Sequence, residues 1–438
     1  MSSVFAIGSE LSLSDHRSIH DLLSICQTCG MCLGACPTYD VTRDPDQSPR
    51  GRIRLIKAVA DGVLAFESDR FVTHTWNCIQ CRACETICPS AVPYHVLATA
   101  ARVQLVANGL VPPRRRYLAW ALRNVFPRPR LMRAAAAALR LYQRSGAQWL
   151  ARRSGLLRWF GPGFVDMDAT APRVSGRMFR ESEIPELTVP DTHHAASEIE
   201  FFDGCVMPLA FADVHRSAIR FLARFGVRCL MPRGQGCCGA LHVHAGEIEA
   251  ARRLARANVD AYGATDSLIV TDSAGCAATL KDYGSLLAAD PAYAKRAAAF
   301  ARRVREFSEF ATDVVGRSAV GQYDAVVTYQ DACQLLHGQH LSEPPRQLLR
   351  AIEGVTFVEA PEPTLCCGSG GTYALTDPEM GRALQNRKID GLIATGAHVV
   401  VTCNPGCLTH LQAGARERRL DVCVLHLAEV LDQATRER

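Results

Sequence analysis

No run of 18 or more apolar residues occurs in the sequence, so it predicts no transmembrane helix. The N-terminal stretch Met1–Asp15 lacks a basic segment followed by an apolar one, and it lacks a twin-arginine signal, so we expect no export signal. These absences predict a cytoplasmic protein, either free or held peripherally at the inner face of the cell membrane.

The sequence contains one candidate nucleotide-binding loop. The segment Gly234–Gly239 matches G-x-G-x-x-G literally, and Asp260 follows at a suitable distance. We reject a dinucleotide site, because Cys237 and Cys238 stand where the pyrophosphate would lie and the second half of the chain has no such match. We therefore expect no flavin or nicotinamide on this chain, and a partner must supply the organic redox chemistry.

Cysteine is abundant, with 19 in 438 residues. A small secreted domain would use such cysteines for disulfides, but this chain is long and its cysteines cluster in threes and fours. That pattern favours metal binding in a reducing compartment.

Two N-terminal runs share the pattern Cys-x2-Cys-x2-Cys-x3-Cys-Pro. In this pattern three thiolates bind one [4Fe–4S] cluster and the fourth cysteine serves the other cluster. We assign cluster I to Cys26, Cys29, Cys32 and Cys88. We assign cluster II to Cys78, Cys81, Cys84 and Cys36.

Zinc is the alternative for these thiols, but a zinc ribbon uses two Cys-x2-Cys pairs and matches the two runs poorly. Residues 37–77 between the runs are long for a compact ferredoxin and have a helical pattern at Arg52–Gly62. They favour a helical ferredoxin-type domain over a compact one with an inserted loop.

The C-terminal part is an internal repeat. Its two halves carry the same cysteine pattern, with 31 and 32 residues between the first cysteine and the Cys-Cys pair, and 37 and 39 between that pair and the last cysteine. Short buried strands are predicted at Ile199–Phe202, Leu268–Val270, Ala325–Thr328, Val355–Val358 and Val399–Val401. Helices are predicted at Gly246–Tyr262 and Pro378–Ile393. This alternation predicts parallel sheets.

The repeated cysteines follow predicted strands, so each set is expected at the carboxyl edge of a sheet, where open α/β sheets bind ligands. The first set is Cys205, Cys237, Cys238 and Cys276. The second set is Cys333, Cys366, Cys367 and Cys407. We expect an additional metal or iron–sulfur cluster in at least one half; structural zinc, a redox disulfide and plain buried thiols remain alternatives.

Cysteines outside the repeat and two histidines have simpler interpretations. Cys229 and Cys423 are predicted to be core residues, and Cys403 also lies outside the pattern. His337 and His340 follow Cys333 closely, and we interpret them as polar structure rather than as ligands or proton carriers.

Residues 101–160 contain 13 Arg but no Lys, Asp or Glu, so they concentrate the positive charge of a chain whose net charge is only +5. Apolar residues recur between the arginines at helical spacing, together with Trp120, Trp149 and Trp159. Such a basic amphipathic segment suits an anionic membrane surface or an acidic partner subunit. Nucleic-acid binding is the rival, but the neighbouring cluster cysteines disfavour it and we expect no nucleic-acid partner.

These patterns predict a mixed fold. We expect a helical ferredoxin-type domain with two [4Fe–4S] clusters at residues 1–100 and a basic helical segment with a linker at 101–192. Two α/β cysteine-rich domains with parallel sheets are expected at 193–318 and 319–438.

Several motifs together resemble the iron–sulfur subunit of glycolate oxidase, also called glycolate dehydrogenase, over roughly residues 20–430. The resemblance rests on CQTCGMCLGACPTY, SPRGRIRLIK and CIQCRACETICPSAVPYH in the first hundred residues. It rests further on GCCGA, LCCGSGGTYALTDPEM and TCNPGCLTHL in the repeat.

The resemblance implies an electron-transfer subunit of an oxidoreductase complex that acts on CH–OH groups. FAD-bearing partner subunits would oxidise glycolate to glyoxylate, and this chain would relay the electrons toward membrane quinone. The repeated halves resemble heterodisulfide reductase cysteine-rich domains, whose motif ends in Cys-x-x-Cys. Here Ser273 and Asn404 replace the first of those cysteines, which puts a five-thiolate cluster in doubt.

Other functions stay open at this point. A subunit of a D-lactate or glycerol-3-phosphate dehydrogenase would use the same clusters. A thiol–disulfide enzyme of the heterodisulfide reductase type would use the Cys-Cys pairs, but Ser273 and Asn404 disfavour it. An iron–sulfur sensor or scaffold is disfavoured because the chain has no DNA-binding pattern.

Overall fold

The computed structural model describes residues 16–159, 161–174, 176–187, 197–316 and 318–436. The boundary expected at residues 192 and 193 lies outside this described part. The region that carries the two cysteine runs is helical, with short 3₁₀ turns at Met31–Leu33 and Pro45–Gln47. Its helices are α1 (His16–Ser24), α2 (Pro37–Thr42), α3 (Pro49–Ala60), α4 (Asp69–Trp76), α5 (Ala83–Thr86) and α6 (Tyr94–Ala107).

Helix α3 occupies the gap between the two cysteine runs. Ser48 begins it by accepting the backbone N–H of Gly51 at 3.0 Å, and Pro49 at its first position fits the helical backbone. Its apolar side, including Ile53 and Ile56, packs into one core with α1, α4 and α6. The gap is thus structured as a helix, which confirms the helical ferredoxin-type prediction.

The basic segment also forms helices, and they continue beyond residue 160. These are α7 (Pro113–Asn124), α8 (Pro129–Arg144), α9 (Ala147–Arg153), α10 (Leu156–Trp159), α11 (Pro162–Thr170) and α12 (Ile184–Leu187), with a 3₁₀ turn at Glu181–Glu183. Helix α8 buries none of its described side chains, whereas α7 buries Leu122. The segment therefore lies on the surface of the protein.

Each repeated half contains a four-stranded parallel sheet. The first has strand order β2-β1-β3-β4 and the second β6-β5-β7-β8. The strands are β1 (Ser197–Phe201), β2 (Val227–Leu230), β3 (Leu268–Thr271), β4 (Val304–Glu306), β5 (Gly321–Tyr329), β6 (Ile352–Phe357), β7 (Val399–Thr402) and β8 (Cys423–His426). The prediction of two α/β units with parallel sheets is confirmed.

Helices connect the strands of both sheets. In the first half they are α13 (Met207–Ala210), α14 (Ala212–Arg224), α15 (Ala240–His244), α16 (Ile248–Ala261), α17 (Ala274–Lys281), α18 (Tyr283–Leu286), α19 (Ala294–Arg303) and α20 (Phe307–Val315). In the second half they are α21 (Cys333–Leu336), α22 (Glu343–Arg350), α23 (Tyr373–Thr376), α24 (Pro378–Ile393), α25 (Pro405–Glu417) and α26 (Leu427–Ala434).

The two halves share a hydrophobic core. Helix α26 of the second half packs on α14 of the first, and residues of both sheets belong to one buried cluster. The fully buried carboxylate of Asp432 on α26 pairs with Arg220 and Arg224 of α14 and accepts a hydrogen bond from Ser217. This packing fixes the carboxyl edges of both sheets relative to each other.

Candidate metal centres

The first cysteine run lines a small cavity together with the end of the second run. Its sulfur-bearing residues are Cys26, Cys29, Cys32, Cys84 and Cys88. The turn in this run requires a left-handed backbone at Gly30, whose φ is +87°. Cys29 is exposed, and Cys26, Cys32 and Cys88 are half-buried, so this cavity lies near solvent.

A second cavity lies deeper and contacts the first. It is lined by Cys36, Cys78, Cys81 and Cys84, with Arg52 and Tyr94 in its wall. Cys84, Pro49 and Tyr94 line both cavities, so the two sites share a wall. All four thiols are buried, and burial raises the pKa of the Cys81 and Cys84 thiols well above the usual range.

The two runs exchange their fourth cysteines. Cys36 ends the first run but lines the second cavity, and Cys88 ends the second run but lines the first cavity. Thiols in groups of four, enclosed by largely apolar walls, are the donor set that iron–sulfur clusters require. Among the described residues, no three His, Cys, Asp or Glu side chains form a preassembled site for a single metal ion.

Four thiols of the first repeated half lie in contact in series. Cys237 is in side-chain contact with both Cys205 and Cys238, and Cys238 is also in contact with Cys276. These hydrogen bonds lower the pKa of Cys237 well below the usual range and raise those of Cys205 and Cys238. We call this set the first thiol row.

The second half repeats the arrangement. Side-chain contacts join Cys333 to Cys366, Cys366 to Cys367 and Cys367 to Cys407. Hydrogen bonding and burial raise the pKa of the first three thiols well above the usual range. We call this set the second thiol row. These contacts bring the four cysteines of each set together in space.

The second thiol row lies against the deeper cavity of the N-terminal region. Cys81, Ile79, Cys366 and Tyr373 belong to one buried apolar cluster, with Cys333 packed against it. Around it, Gln334 donates its Nε2–H to the carbonyl of Gln80 at 3.1 Å. Local sequence patterns do not predict this contact, because it joins residues more than 250 positions apart.

Two further hydrogen bonds join the N-terminal region to the second half. The hydroxyl of Tyr373 donates to the carbonyl of Asn77 at 3.2 Å, and Thr86 Oγ1 lies 2.9 Å from His337 Nδ1. Burial lowers the pKa of His337 to about 4, so it is neutral at physiological pH. His337 thus acts as polar structure between the two regions.

The residues that replace the missing cysteines of the repeat have structural partners. Ser273 begins α17 and accepts the backbone N–H of Cys276 at 3.4 Å. Asn404 precedes α25, and its Nδ2–H donates to Cys407 Sγ at 3.6 Å. Neither position therefore holds a thiol that could serve as a fifth ligand.

Among the remaining cysteines, Cys229 is buried in the core as predicted, and Cys403 is buried with its sulfur 3.3 Å from the Tyr329 hydroxyl. The prediction for Cys423 was wrong: it is exposed, because it begins the edge strand β8 with its side chain outside the core.

The loop Gly234–Gly239, which matches G-x-G-x-x-G, carries two cysteines of the first thiol row and is held in place by Asn258. The backbone N–H of Gly236 donates to Asn258 Oδ1 at 2.9 Å, and Asn258 Nδ2–H donates to the carbonyl of Cys237 at 3.0 Å. Asp260 instead pairs with Arg296 on the surface at 2.7 Å. These hydrogen bonds therefore position the backbone that carries Cys237 and Cys238.

Comparison with known proteins matches these regions one by one. A family model for a 4Fe–4S dicluster domain matches residues 22–92, and one for a cysteine-rich domain matches residues 199–281 and 327–412. A model for the linker region of the glycolate oxidase iron–sulfur subunit matches residues 113–171. Over 417 residues, the chain is 37% identical to the "Probable glycolate oxidase iron-sulfur subunit" of Bacillus subtilis (strain 168), covering 93% of each chain. The chain belongs to the glycolate oxidase iron–sulfur subunit family.

Two further relatives were found, one named as a member of this family and one named for lactate utilization. The "Glycolate oxidase iron-sulfur subunit" of Escherichia coli (strain K12) is 32% identical over 426 residues, which is 94% of each chain. "Lactate utilization protein A" of Oceanobacillus iheyensis is 29% identical over 236 residues, covering 54% of this chain and 96% of that protein. The chain is therefore a subunit type found in oxidoreductase complexes.

The family's linker region here corresponds to α7–α11 and exposes large aromatic residues. Trp149 and Trp159 are 63% and 89% exposed, and Tyr117 and Trp120 are also exposed. Arg114 and Arg116 are exposed, but Arg115 between them is half-buried. Its guanidinium donates to the carbonyl of Trp76 at 2.9 Å and stacks on the Trp76 ring. Within the described residues, no helix is long and apolar enough to span a membrane.

Proposed function

We propose that this chain is the electron-transfer subunit of a multi-subunit, flavin-dependent glycolate dehydrogenase. The observation that carries the proposal is the pair of cavities, one lined by five cysteines and the other by four, that share a wall at Cys84. Glycolate is the proposed substrate because both relatives that match this chain over nearly its full length are named for glycolate oxidase.

Cys26, Cys29, Cys32 and Cys88 are proposed to bind one [4Fe–4S] cluster, and Cys36, Cys78, Cys81 and Cys84 a second. When bound, these clusters supply transfer of one electron at a time. The protein holds the thiolates in two adjoining groups, and the apolar walls around Cys81 and Cys84 keep water from the deeper group.

Partner subunits are proposed to carry the FAD that oxidises glycolate to glyoxylate. That oxidation releases two electrons and two protons from the substrate, and the flavin passes the electrons singly to this chain. Membrane quinone is the proposed acceptor.

A further iron–sulfur cluster or zinc is proposed for the cysteine-rich halves, and the second thiol row is the stronger candidate. Cys366 packs in one cluster with Cys81, a proposed cluster ligand. A redox group at this row would therefore lie next to the deeper cavity and could exchange electrons with it.

The linker helices are proposed to hold the complex at the inner face of the membrane. Trp149 and Trp159 offer apolar contact, and Arg114, Arg130 and Arg133 are exposed. This combination suits the interface of an anionic bilayer. It places the chain close to a quinone acceptor while leaving it outside the bilayer core.

A D-lactate dehydrogenase subunit is the second candidate. It is favoured by the relative named "Lactate utilization protein A", which matches 54% of this chain. The two candidates differ only in the substrate of the partner subunit, so they are separated by assay of the native complex with each acid.

The test uses the native complex purified anaerobically with its partners. We expect glycolate to reduce the partner flavin in both wild type and Cys81→Ser, while Cys81→Ser loses quinone reduction and the iron of one cluster, about four atoms. Cys423→Ser, at an exposed thiol, is the matched control. Full quinone reduction by Cys81→Ser would contradict electron transfer through this chain. If D-lactate reduced the flavin and glycolate did not, D-lactate would be the substrate of the complex.

A further inference from the structure

Two arginines beside the deeper cavity are buried without an acidic partner. Arg52 and Arg102 are only 2% and 3% exposed. Neither forms an ion pair with a carboxylate among the residues that the structure describes, whereas Arg346, the other buried arginine among them, pairs with Asp331 at 2.7 Å.

The guanidinium of Arg52 is saturated with neutral acceptors. It donates to Thr38 Oγ1 at 3.1 Å, Gln47 Oε1 at 2.9 Å, the carbonyl of His74 at 2.8 Å and that of Asn77 at 3.2 Å. Its Nη1 lies 4.0 Å from Cys36 Sγ.

Arg102 is held in the same way on the other side of the second run. It donates to the carbonyls of Thr75, Trp76, Cys78 and His244 and lies over the Trp76 ring, 5.3 Å from its centroid. Arg115 lies over the same ring, and burial together with the charge of Arg102 lowers the pKa of Arg115 to about 9. Positive charge is therefore in excess around Trp76.

A buried charge of this kind requires a counter-charge. Hydrogen bonds to carbonyls satisfy the donors of a guanidinium but do not neutralise it, and an uncompensated buried ion is strongly destabilising. Arg52 contacts Cys36 Sγ and Arg102 donates to the carbonyl of Cys78, so the thiolates of a cluster bound at these cysteines would supply the counter-charge.

We propose that Arg52 and Arg102 are the counter-charges of the cluster bound by Cys36, Cys78, Cys81 and Cys84, and that they raise its reduction potential. The inference rests on the proposed cluster binding. Reduction adds one negative charge to a site whose net charge helps to set its potential. A fixed positive charge in a poorly solvated wall stabilises that added charge more strongly than it would in water.

The experiment is an EPR-monitored redox titration of the anaerobically purified complex. Arg52→Gln keeps hydrogen bonding but removes the charge, and Arg52→Lys keeps the charge. Arg54→Gln is the matched control, since Arg54 lies on the same helix but is exposed. We expect Arg52→Gln to change the one-electron equilibrium of one cluster at least tenfold, a downward shift of about 59 mV. The other cluster, Arg52→Lys and Arg54→Gln should stay near wild type.

Arg102→Gln provides an independent second variant, and we expect it to lower the potential of the same cluster. Unchanged potentials in both glutamine variants would overturn the proposal. Loss of cluster iron from both Arg52→Gln and Arg52→Lys would also overturn it, because the side chain would then be needed for its shape. Failure of cluster binding itself is distinguished by wild-type protein that contains no iron or sulfide.

Discussion

Asn404 accepts the backbone N–H of Gly275 on its side-chain oxygen at 3.0 Å and so links the two repeated halves. Next to it, the backbone N–H of Ala274 donates to the carbonyl of Cys403 at 3.1 Å. The loop that carries Ser273 thus meets the loop that carries Asn404. A cysteine at position 404 would lose this link, which gives a physical reason for the departure from the Cys-x-x-Cys ending.

Asn404→Ala should therefore destabilise the protein by about 1 kcal/mol, the typical value of one lost hydrogen bond. Thermal unfolding followed by circular dichroism measures the change. Asn386→Ala is the control, because Asn386 is exposed on α24. Equal unfolding midpoints for the two variants would show that the link contributes nothing.

Gly370 allows the second half to contact the N-terminal region closely. Its φ is +48°, and a Cβ there would lie 2.5 Å from Ile79 Cγ1 and 2.7 Å from Tyr373 Cβ. We expect Gly370→Ala to destabilise the protein by roughly 1–3 kcal/mol through overpacking and backbone strain.

The control for this prediction is Gly391→Ala. Gly391 lies within α24, and a Cβ there would meet open space. Alanine in a helix interior should be neutral or stabilising by about 0.5–1 kcal/mol. If Gly370→Ala unfolded at the same temperature as Gly391→Ala, the close contact at Ile79 would be disproved.

Glu306 makes stability depend on pH. It is fully buried at the end of β4, and burial raises its pKa to about 7. Because the folded state holds this proton more tightly than the unfolded state does, the contribution of Glu306 to stability is highest at acid pH. It falls as pH rises from the ordinary glutamate value to about 7, and the loss is complete above that pH.

Glu306→Gln should remove this dependence and stabilise the protein by as much as roughly 3 kcal/mol at about pH 8, with little effect near pH 4. Glutamine can still accept the backbone N–H of Ser308, which Glu306 accepts at 2.7 Å. Unfolding midpoints across that pH range measure the effect, with the exposed Glu353→Gln as control. A variant that tracked wild type at every pH would contradict it.

The exposed tryptophans allow a test of membrane contact. Trp149→Ala and Trp159→Ala should each weaken binding to anionic vesicles about tenfold, since each removes a large apolar side chain from the interface. Raised salt should weaken wild-type binding further by screening the arginines. Co-sedimentation measures the bound fraction.

Val63→Ala is the control for vesicle binding, because Val63 is 82% exposed but lies outside the linker helices. If neither raised salt nor the tryptophan substitutions changed vesicle binding, the linker helices would instead be the contact surface for a partner subunit. For charge variants, Arg114 and Arg116 are suitable, whereas Arg115 is bound to Trp76.

The sequence predicted the parallel sheets because their central strands are continuous apolar runs. Leu268–Thr271 and Val399–Thr402 lie between two neighbouring strands and are buried on both faces. The strands that went unpredicted are β2, β4 and β8, all at sheet edges. They are short and carry residues such as Arg228 and Arg305, so their hydrophobic pattern is weak.

The grouping of the N-terminal cysteines could be predicted from the sequence, but their contacts with the second half could not. Fixed spacing within each N-terminal run allowed their grouping, since a short run limits which sulfurs can meet. The contact of Cys81 with Cys366 and the burial of Arg52 depend on how the N-terminal helices dock on the second half. Docking is decided by surface shape, as at Gly370 and Ile79, and local patterns do not encode it.

The thiol rows make the protein without its metal vulnerable to air. The side chains of Cys333 and Cys366, which are far apart in sequence, are in contact, so an oxidant could join these two sulfurs into a disulfide. Sulfurs joined in this way can no longer bind iron. Reconstitution with iron and sulfide should therefore succeed only when a reductant is added first.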